Sequence, residues 1–106
     1  MNTNTHRGHK LMTAELEATL PGLYATDGQG GDAVVHVHYF SPYTNWDWYG
    51  VEYDPATRTF FGWVDGLDGE YGYFNLDELE TATLANGVPA VERDLHWTPV
   101  TLKEVK

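Results

Sequence analysis

The sequence predicts a small α+β domain, in which a curled antiparallel meander is combined with two or three short helices. Three observations support this fold class. A length of 106 residues fits a single domain. A hydrophobic fraction of 42 % and an aromatic fraction of 14 % supply one modest core. Runs rich in Val, Tyr, Phe and Trp, each bounded by turn residues, recur through the middle of the chain.

Two helices are predicted from their capping residues. Thr13 precedes two leucines that stand four residues apart, which predicts a helix over residues 13–20, ended by a Pro-Gly pair. Asn75 is followed three residues later by Glu78, the spacing of a capping box, which predicts a second helix from 76 to about 84. Both helices are expected at the ends or on one face of the sheet.

The strands are predicted where β-branched and aromatic residues concentrate. The expected strands cover residues 33–40, 46–53, 59–64, 71–74 and 93–98, and a final turn covers 102–105. Because short turns separate the first three strands, we expect them to pair as antiparallel neighbours.

The charge of the chain limits the classes of partner. The net charge is −10, and between residues 11 and 102 fifteen acidic residues stand against only Arg58 and Arg93. Nucleic-acid binding draws its affinity from Lys and Arg, so direct binding to DNA or RNA phosphates is not expected. A strongly acidic surface instead favours a basic protein partner or cations, or serves solubility alone.

Other features of the sequence narrow the cellular setting. The chain has no cysteine, which excludes disulfide scaffolds, zinc ribbons and thiol catalysis. No apolar run approaches the roughly 20 residues of a membrane span, and the first residues lack a signal-peptide core, so a cytoplasmic protein is expected. Residues 1–10 are polar and are predicted to form a flexible tail before a single acidic domain over residues 11–106.

Four separated motifs carry a family resemblance. They read NWDWY at residues 45–49, FFGWVDGL at 60–67, EYGYFNLDEL at 70–79 and ERDL at 92–95. Together they resemble the family catalogued as domain of unknown function 2958, over about residues 11–105. The resemblance implies a short bacterial protein of the kind carried on plasmids, phages and other mobile elements. It implies no catalytic residues and no cofactor.

A metal site is one alternative hypothesis. His36 and His38 stand two apart on a predicted strand, so both side chains would point to one face and could present two imidazoles to zinc. His96 or a nearby acid would supply a third ligand. Any strand with two histidines has this spacing, and histidines on a polar sheet face explain it equally. The resemblance implies a Tyr-Val-Lys-type strand here, so such a site would not be a family property.

Acids beside aromatic residues fit two further hypotheses. Strict alternation along the second strand would place Trp48, Glu52 and Asp54 on one face, and Asp47, Tyr49 and Tyr53 on the other. A glycosidase needs two carboxyls roughly 5–9.5 Å apart, and an acidic chain supplies such pairs by chance. The glycine-rich loop over residues 65–70 carries three carboxylates that could hold calcium, but it lacks the ligand spacing of an EF-hand.

The favoured hypothesis is a non-catalytic acidic interaction module that binds a basic protein. The resemblance to mobile-element proteins suggests a nucleic-acid-processing enzyme as the partner, inhibited by an anti-defence protein that resembles DNA in its charge. The alternative is a small metal-dependent enzyme or metal-binding protein that uses His36 and His38. The candidate binding acids line strand ends, one loop and the second helix: Asp47, Glu52, Asp54, Asp65, Asp68, Glu70, Asp77, Glu78 and Glu80.

Overall fold

An antiparallel sheet organises the protein in the computed structural model, which describes residues 8–106. The strands, in chain order, are β1 (Val34–Val35), β2 (Val37–Phe40), β3 (Asp47–Asp54), β4 (Thr59–Asp65), β5 (Gly69–Asn75), β6 (Glu92–Arg93) and β7 (Val100–Thr101). The helices are α1 (Ala14–Thr19), α2 (Leu76–Thr81) and α3 (Leu102–Val105), and a 3-10 turn covers Gly30–Asp32. The five-stranded sheet has the order β5-β4-β3-β2-β6, and β1 pairs with β7 in a second sheet.

This architecture confirms the predicted α+β meander with short helices. Strands β2 to β5 follow one another in space as they do in sequence, and all their pairings are antiparallel. No helix described within residues 8–106 has the length and the apolar run that crossing a membrane requires.

The predicted helix caps form as expected. The Thr13 hydroxyl accepts a hydrogen bond of 3.1 Å from the backbone N–H of Leu16 at the start of α1. The Asn75 side chain accepts one of 3.3 Å from the backbone N–H of Glu78 at the start of α2. Each side chain thus satisfies one of the N–H groups that the first helical turn leaves open.

Helix α2 is shorter than predicted. It ends at Thr81 and not near Leu84, because the following backbone pairs with itself across a turn. Thr83 forms an antiparallel bridge with Pro89, and the N–H of Leu84 donates to the carbonyl of Val88 over 2.8 Å. The predicted strand over residues 93–98 is likewise reduced to β6, with a turn after it.

The predicted strand over residues 33–40 is divided at His36. Strand β1 pairs with β7, whereas β2 pairs with β3 and β6, so the chain passes from one sheet to the other at this point. The N–H of His36 still donates to the carbonyl of Gly50 over 2.9 Å. The metal hypothesis assumed that His36 and His38 belong to one regular strand. The division at His36 contradicts that assumption.

A β-bulge interrupts the pairing of β3 with β4. Gly50 lies opposite Gly62 and Glu52 lies opposite Phe61, so that Val51 is an extra residue in β3. Because side chains alternate between faces, one extra residue moves everything after it to the other face.

The bulge corrects the predicted faces of β3. Asp47 and Tyr49 share a face with Glu52 and Asp54, and Trp48 shares the opposite face with Tyr53. We call the face of Asp47 and Tyr49 the outer face of the sheet, and the face of Trp48 and Tyr53 the inner face.

Hydrophobic clusters cover both faces. The inner face carries the larger core, which includes Tyr39, Phe60 and two leucines of α2, Leu76 and Leu79. The partly buried Leu16 of α1 and Leu20 at its C-cap pack against this core. The outer face carries a smaller cluster in which Val51 packs against Leu102 of α3. The two predicted helices thus lie on one face of the sheet, as expected, and the final turn forms the helix α3 on the other face.

Two residues of the N-terminal segment contact strand β6. Residues 1–7 of the predicted tail lie outside the described residues. His9 and Lys10, also placed in that tail, contact Arg93 in β6: its backbone N–H donates to the His9 ring over 3.1 Å, and its side chain donates to the Lys10 carbonyl over 2.9 Å. Leu11 is fully buried.

Candidate functional site

The outer face presents its side chains in rows that run across the strands, because residues paired across antiparallel strands lie side by side. The aromatic row takes one residue from each of β2 to β5: His38, Tyr49, Trp63 and Tyr71. Next to it, toward the β4–β5 hairpin, Asp47 lies directly opposite Asp65.

One end of the aromatic row is covered and the other is open. His38 stacks on Tyr49 at a centroid distance of 4.7 Å, and Trp97 lies over both rings. The Trp97 ring is fixed by a hydrogen bond of 3.0 Å to the carbonyl of Val35. At the far end Tyr71 is 43 % exposed, so the row reaches solvent on β5.

His38 is held between two carboxylates. Its Nε2 lies 2.7 Å from Asp47 Oδ1 and its Nδ1 lies 3.1 Å from Asp94 Oδ2. Both ring nitrogens of His38 are thus engaged by carboxylate oxygens. Burial acts to raise the pKa of Asp94, but the hydrogen bonds from His38 and from the backbone N–H of His96 outweigh it and hold that pKa below its ordinary value.

The three histidines proposed for a metal site are not brought together as ligands. Both ring nitrogens of His38 are engaged by carboxylates, and a metal would have to displace one of them. His36 is half-buried, which lowers its pKa, and His96 is exposed. Among residues 8–106 no group of three or more His, Asp and Glu side chains is arranged to hold a metal ion.

The β4–β5 hairpin carries three exposed carboxylates, which we call the hairpin acids: Asp65, Asp68 and Glu70. Within the described part of the chain, their side chains form no ion pair and accept no hydrogen bond. Leu67 at the tip of the hairpin is 91 % exposed. The hairpin therefore presents three negative charges and one apolar side chain to solvent.

Two tryptophans hold the hairpin in place. A Cβ atom at Gly66 would overlap the ring of Trp46, and one at Gly69 would lie 2.6 Å from the ring of Trp63. The hairpin backbone thus rests directly on both rings. The absence of a side chain at these two positions allows that approach, which gives the hairpin acids a fixed placement beside the aromatic row.

The acids near the β3–β4 turn have structural partners instead. Asp54 accepts hydrogen bonds from the N–H of Ala56 over 3.0 Å and from the hydroxyl of Thr57 over 2.9 Å. Arg58 bridges to α2, where its Nε lies 2.7 Å from Asp77 and its Nη2 contacts Glu80.

Glu52 and Glu80 do not contribute to an acidic surface, because they are 2 % and 5 % exposed. Glu52 accepts hydrogen bonds from the N–H groups of Tyr24, over 2.8 Å, and Thr26, over 2.9 Å, and from the Thr26 hydroxyl. It fastens the loop after α1 to the outer face. Glu78 is exposed on α2, apart from the hairpin.

Clefts flank both ends of the aromatic row. A cleft of about 340 Å³ lies beside His38, between Trp46 and the two aspartates that His38 contacts. A cleft of about 250 Å³ lies beside Tyr71, over Phe61 and Leu102. The second is mainly apolar and lies on the side of Tyr71 away from the hairpin.

Sequence reasoning missed three residues that shape this site: Asp94, Trp97 and Lys106. Asp94 lies within the ERDL motif, which signals that the segment matters but not what it contacts. The other two reach the outer face only because α3 and the preceding segment fold across it, and no local pattern predicts that placement.

Comparison with known proteins gives a family. The model of the family described as "Protein of unknown function (DUF2958)" matches residues 11–103. The chain belongs to this family. The resemblance inferred from the four motifs is thereby confirmed, and the match to DUF2958 covers both the aromatic row and the hairpin acids. No curated protein and no solved structure gives a significant match.

Proposed function

We propose that this protein is a non-catalytic interaction module that binds a basic protein through the hairpin acids and the open end of the aromatic row. The observation that carries this proposal is the set of exposed carboxylates on one hairpin, which have no side-chain partner among residues 8–106, next to an exposed tyrosine. The other candidate acids on the sheet and on α2 are either buried or engaged by a side-chain partner, except Glu78, which is exposed on α2 apart from the hairpin.

The chemistry of the surface suits lysine and arginine side chains. Asp65 is directly paired with Gly69, the neighbour of Asp68, so the backbones of these two hairpin acids lie within a Debye length of about 8 Å and their charges act together on an incoming cation. Aromatic faces attract the same cations through their quadrupole. A basic protein would be steered by the field and then held at the rings, and its association would weaken with salt.

Binding is favoured over catalysis by the state of the outer-face acid–base groups. His38 contacts Asp47 and Asp94 through its two ring nitrogens. The carboxylate of Glu52 accepts its hydrogen bonds from one loop. A general acid or base needs an orbital or a proton directed at a substrate. The ring nitrogens of His38 and the carboxylate of Glu52 are already engaged in hydrogen bonds within the protein.

The spacing of the acids favours blocking one basic patch over imitating a long phosphate ridge. Asp47 and Asp54 lie at opposite ends of β3, roughly 23 Å apart by strand geometry. The outer-face acid between them in β3 is the buried Glu52. Duplex DNA presents one charge per ~1.7 Å, so this gap breaks the resemblance to DNA along the strand.

The test is binding of a fluorescent oligolysine peptide, followed by anisotropy at low and at physiological salt. A double variant, Asp65→Asn with Asp68→Asn, is compared with Glu15→Gln with Glu17→Gln on α1, which removes the same charge elsewhere. Two exposed charge pairs amount to about 1 kcal/mol, so the hairpin variant should bind about fivefold more weakly. An equal loss in both variants would mean diffuse charge without a site, and absence of binding by the parent would end the proposal.

The proposed class of partner, a nucleic-acid-processing enzyme, needs a second experiment. A protein captured from a bacterial host at low salt should release at high salt and should bind DNA by itself. Adding the parent protein should displace that DNA, whereas the hairpin double variant should not. A captured protein that keeps its DNA would contradict this class of partner and leave basic-protein binding in place.

A further inference from the structure

Lys106 lies in a corner made by two aromatic rings at the open end of the aromatic row. The rings of Trp63 and Tyr71 meet edge to face, with centroids 5.1 Å apart and an interplanar angle of 90°. The ammonium nitrogen of Lys106 is 5.0 Å from the Trp63 ring and 4.6 Å from the Tyr71 centroid. It also donates a hydrogen bond of 2.8 Å to the Tyr71 hydroxyl.

This corner holds a cation by its rings. Both distances fall within the roughly 6 Å at which a ring face attracts an ammonium group. Within residues 8–106 Lys106 forms no ion pair with a carboxylate, so the two ring faces and one hydroxyl oxygen provide its contacts. The contacts of Lys106 therefore show that the corner accepts an ammonium group.

The surroundings of the corner strengthen its fit to a basic partner. Asp65 follows Trp63 by two residues in β4 and shares its face of the sheet, so one hairpin acid borders the corner, whereas Glu70 pairs with Val64 and points to the inner face. On its other side, Tyr71 forms part of the apolar cleft of about 250 Å³ over Phe61. A cation seated here lies between negative charge and a space for an apolar side chain.

We propose that the Trp63–Tyr71 corner is the recognition site for one lysine side chain of the basic partner, and that Lys106 occupies it as an internal competitor. The inference rests on the proposed function, because it names the chemistry of the group that this face receives. It follows that the partner must displace Lys106 to bind, and that removing Lys106 strengthens binding.

The decisive variant is Lys106→Gln, and the matched control is Lys103→Gln. Both lysines belong to the α3 region and both changes remove one positive charge, but Lys103 pairs with Asp32 over 3.0 Å, away from the corner. Both variants should gain slightly from the more negative field. Freeing the corner should add a further two- to fivefold gain in affinity for oligolysine in Lys106→Gln alone.

A second variant tests the corner in the absence of its internal competitor. In the Lys106→Gln background, Tyr71→Leu should lose the added affinity, because it removes one ring and the hydroxyl. Equal gains in Lys106→Gln and Lys103→Gln, or an unchanged affinity after Tyr71→Leu, would overturn the proposal.

A spectroscopic measurement separates this inference from the proposed function. In the parent protein, ring currents should shift the methylene protons beside the Lys106 ammonium upfield, and oligolysine should return them toward ordinary values. If oligolysine binds, and binding depends on Asp65 and Asp68, but the Lys106 signals stay unchanged, the corner is not the site and the interaction module stands. If oligolysine does not bind at all, the proposed function fails first.

Discussion

The bulge at Val51 divides the sheet into two halves that use their acids differently. In the turn half, toward the β3–β4 turn, the acids are structural: Glu52, Asp54, Asp77 and Glu80 each engage a partner. In the hairpin half Asp47 is paired with His38, but the hairpin acids have no partner among the described side chains. A net charge of −10 therefore includes carboxylates that are held by partners within the protein and carboxylates, such as the hairpin acids, that are available to another molecule.

The turn half shows how a single cation organises several acids. Arg58 has a φ of 56°, an unusual backbone conformation for a residue with a side chain. From this position its guanidinium reaches both Asp77 and Glu80 on α2. Because Glu80 is buried, this contact offsets the cost of placing a carboxylate in the interior. The hairpin half has no comparable cation within its loop, since residues 65–70 contain no basic side chain.

The largest effect should follow from Glu52→Ala in the turn half. The change removes the acceptor of three hydrogen bonds to Tyr24 and Thr26 and leaves the two backbone N–H groups without that carboxylate. Hydrogen bonds to charged groups are worth about 1.5–3 kcal/mol each, so we expect the free energy of unfolding to fall by about 3 kcal/mol or more. Urea unfolding followed by Trp fluorescence measures it.

Glu52→Gln provides the control for that experiment, because the amide oxygen still accepts hydrogen bonds without a charge. Its loss should be clearly smaller than that of the Ala variant. A loss below about 1 kcal/mol in Glu52→Ala would show that this acid is not structural, and the division of the sheet into two halves would fail.

Local patterns predicted most of the fold. Thr13 and Asn75 act as the caps that their sequence contexts indicate, and the two strands β3 and β4 appear within one residue of the expected bounds. These features depend on neighbours in sequence. The meander order follows because short turns join the strands.

Local sequence patterns did not predict the structural roles of individual acidic residues. Exposure of Asp68 followed from its place in a glycine-rich loop, but the burial of Glu52 depends on the bulge at Val51 and on a loop more than twenty residues away. An extra residue in a strand leaves no distinctive signature in composition, so strict alternation assigned Glu52 to the wrong face. The break at His36 is a similar case, because it is set by which sheet each segment joins.

A pH experiment tests the contact between His38 and Asp94 in the hairpin half of the sheet. His38→Gln removes the imidazole that helps to hold the pKa of Asp94 down, so that pKa should rise toward its ordinary value. A carboxyl with a lowered pKa contributes stability that is present above its unfolded pKa and lost as pH falls through the folded pKa. The variant should therefore lack part of this contribution above the unfolded pKa, and it should lose less stability than the parent as the pH falls through that range.

Circular dichroism against pH gives the stability, and carboxyl-carbon NMR gives the titration of Asp94. His96→Gln is the matched control, because the backbone N–H of His96, which donates to Asp94 over 3.0 Å, is unchanged. If stability falls with decreasing pH in the same way in the parent and in His38→Gln, the contact between His38 and Asp94 does not couple β2 to the C-terminal segment.

The smallest effect on stability should come from Asp65→Asn on the unpaired side of the hairpin half. Asp65 lies directly across from Asp47, and like charges placed opposite one another destabilise a sheet. His38 offsets part of that repulsion by its contact with Asp47. We therefore expect Asp65→Asn to raise the free energy of unfolding slightly, by no more than about 0.5 kcal/mol.

Salt should stabilise the parent more than the Asp65→Asn variant, because screening by salt relieves the same repulsion that the substitution removes. Urea unfolding at low and high salt measures both. A loss of 1 kcal/mol or more would place Asp65 among the structural acids and remove it from the proposed binding surface.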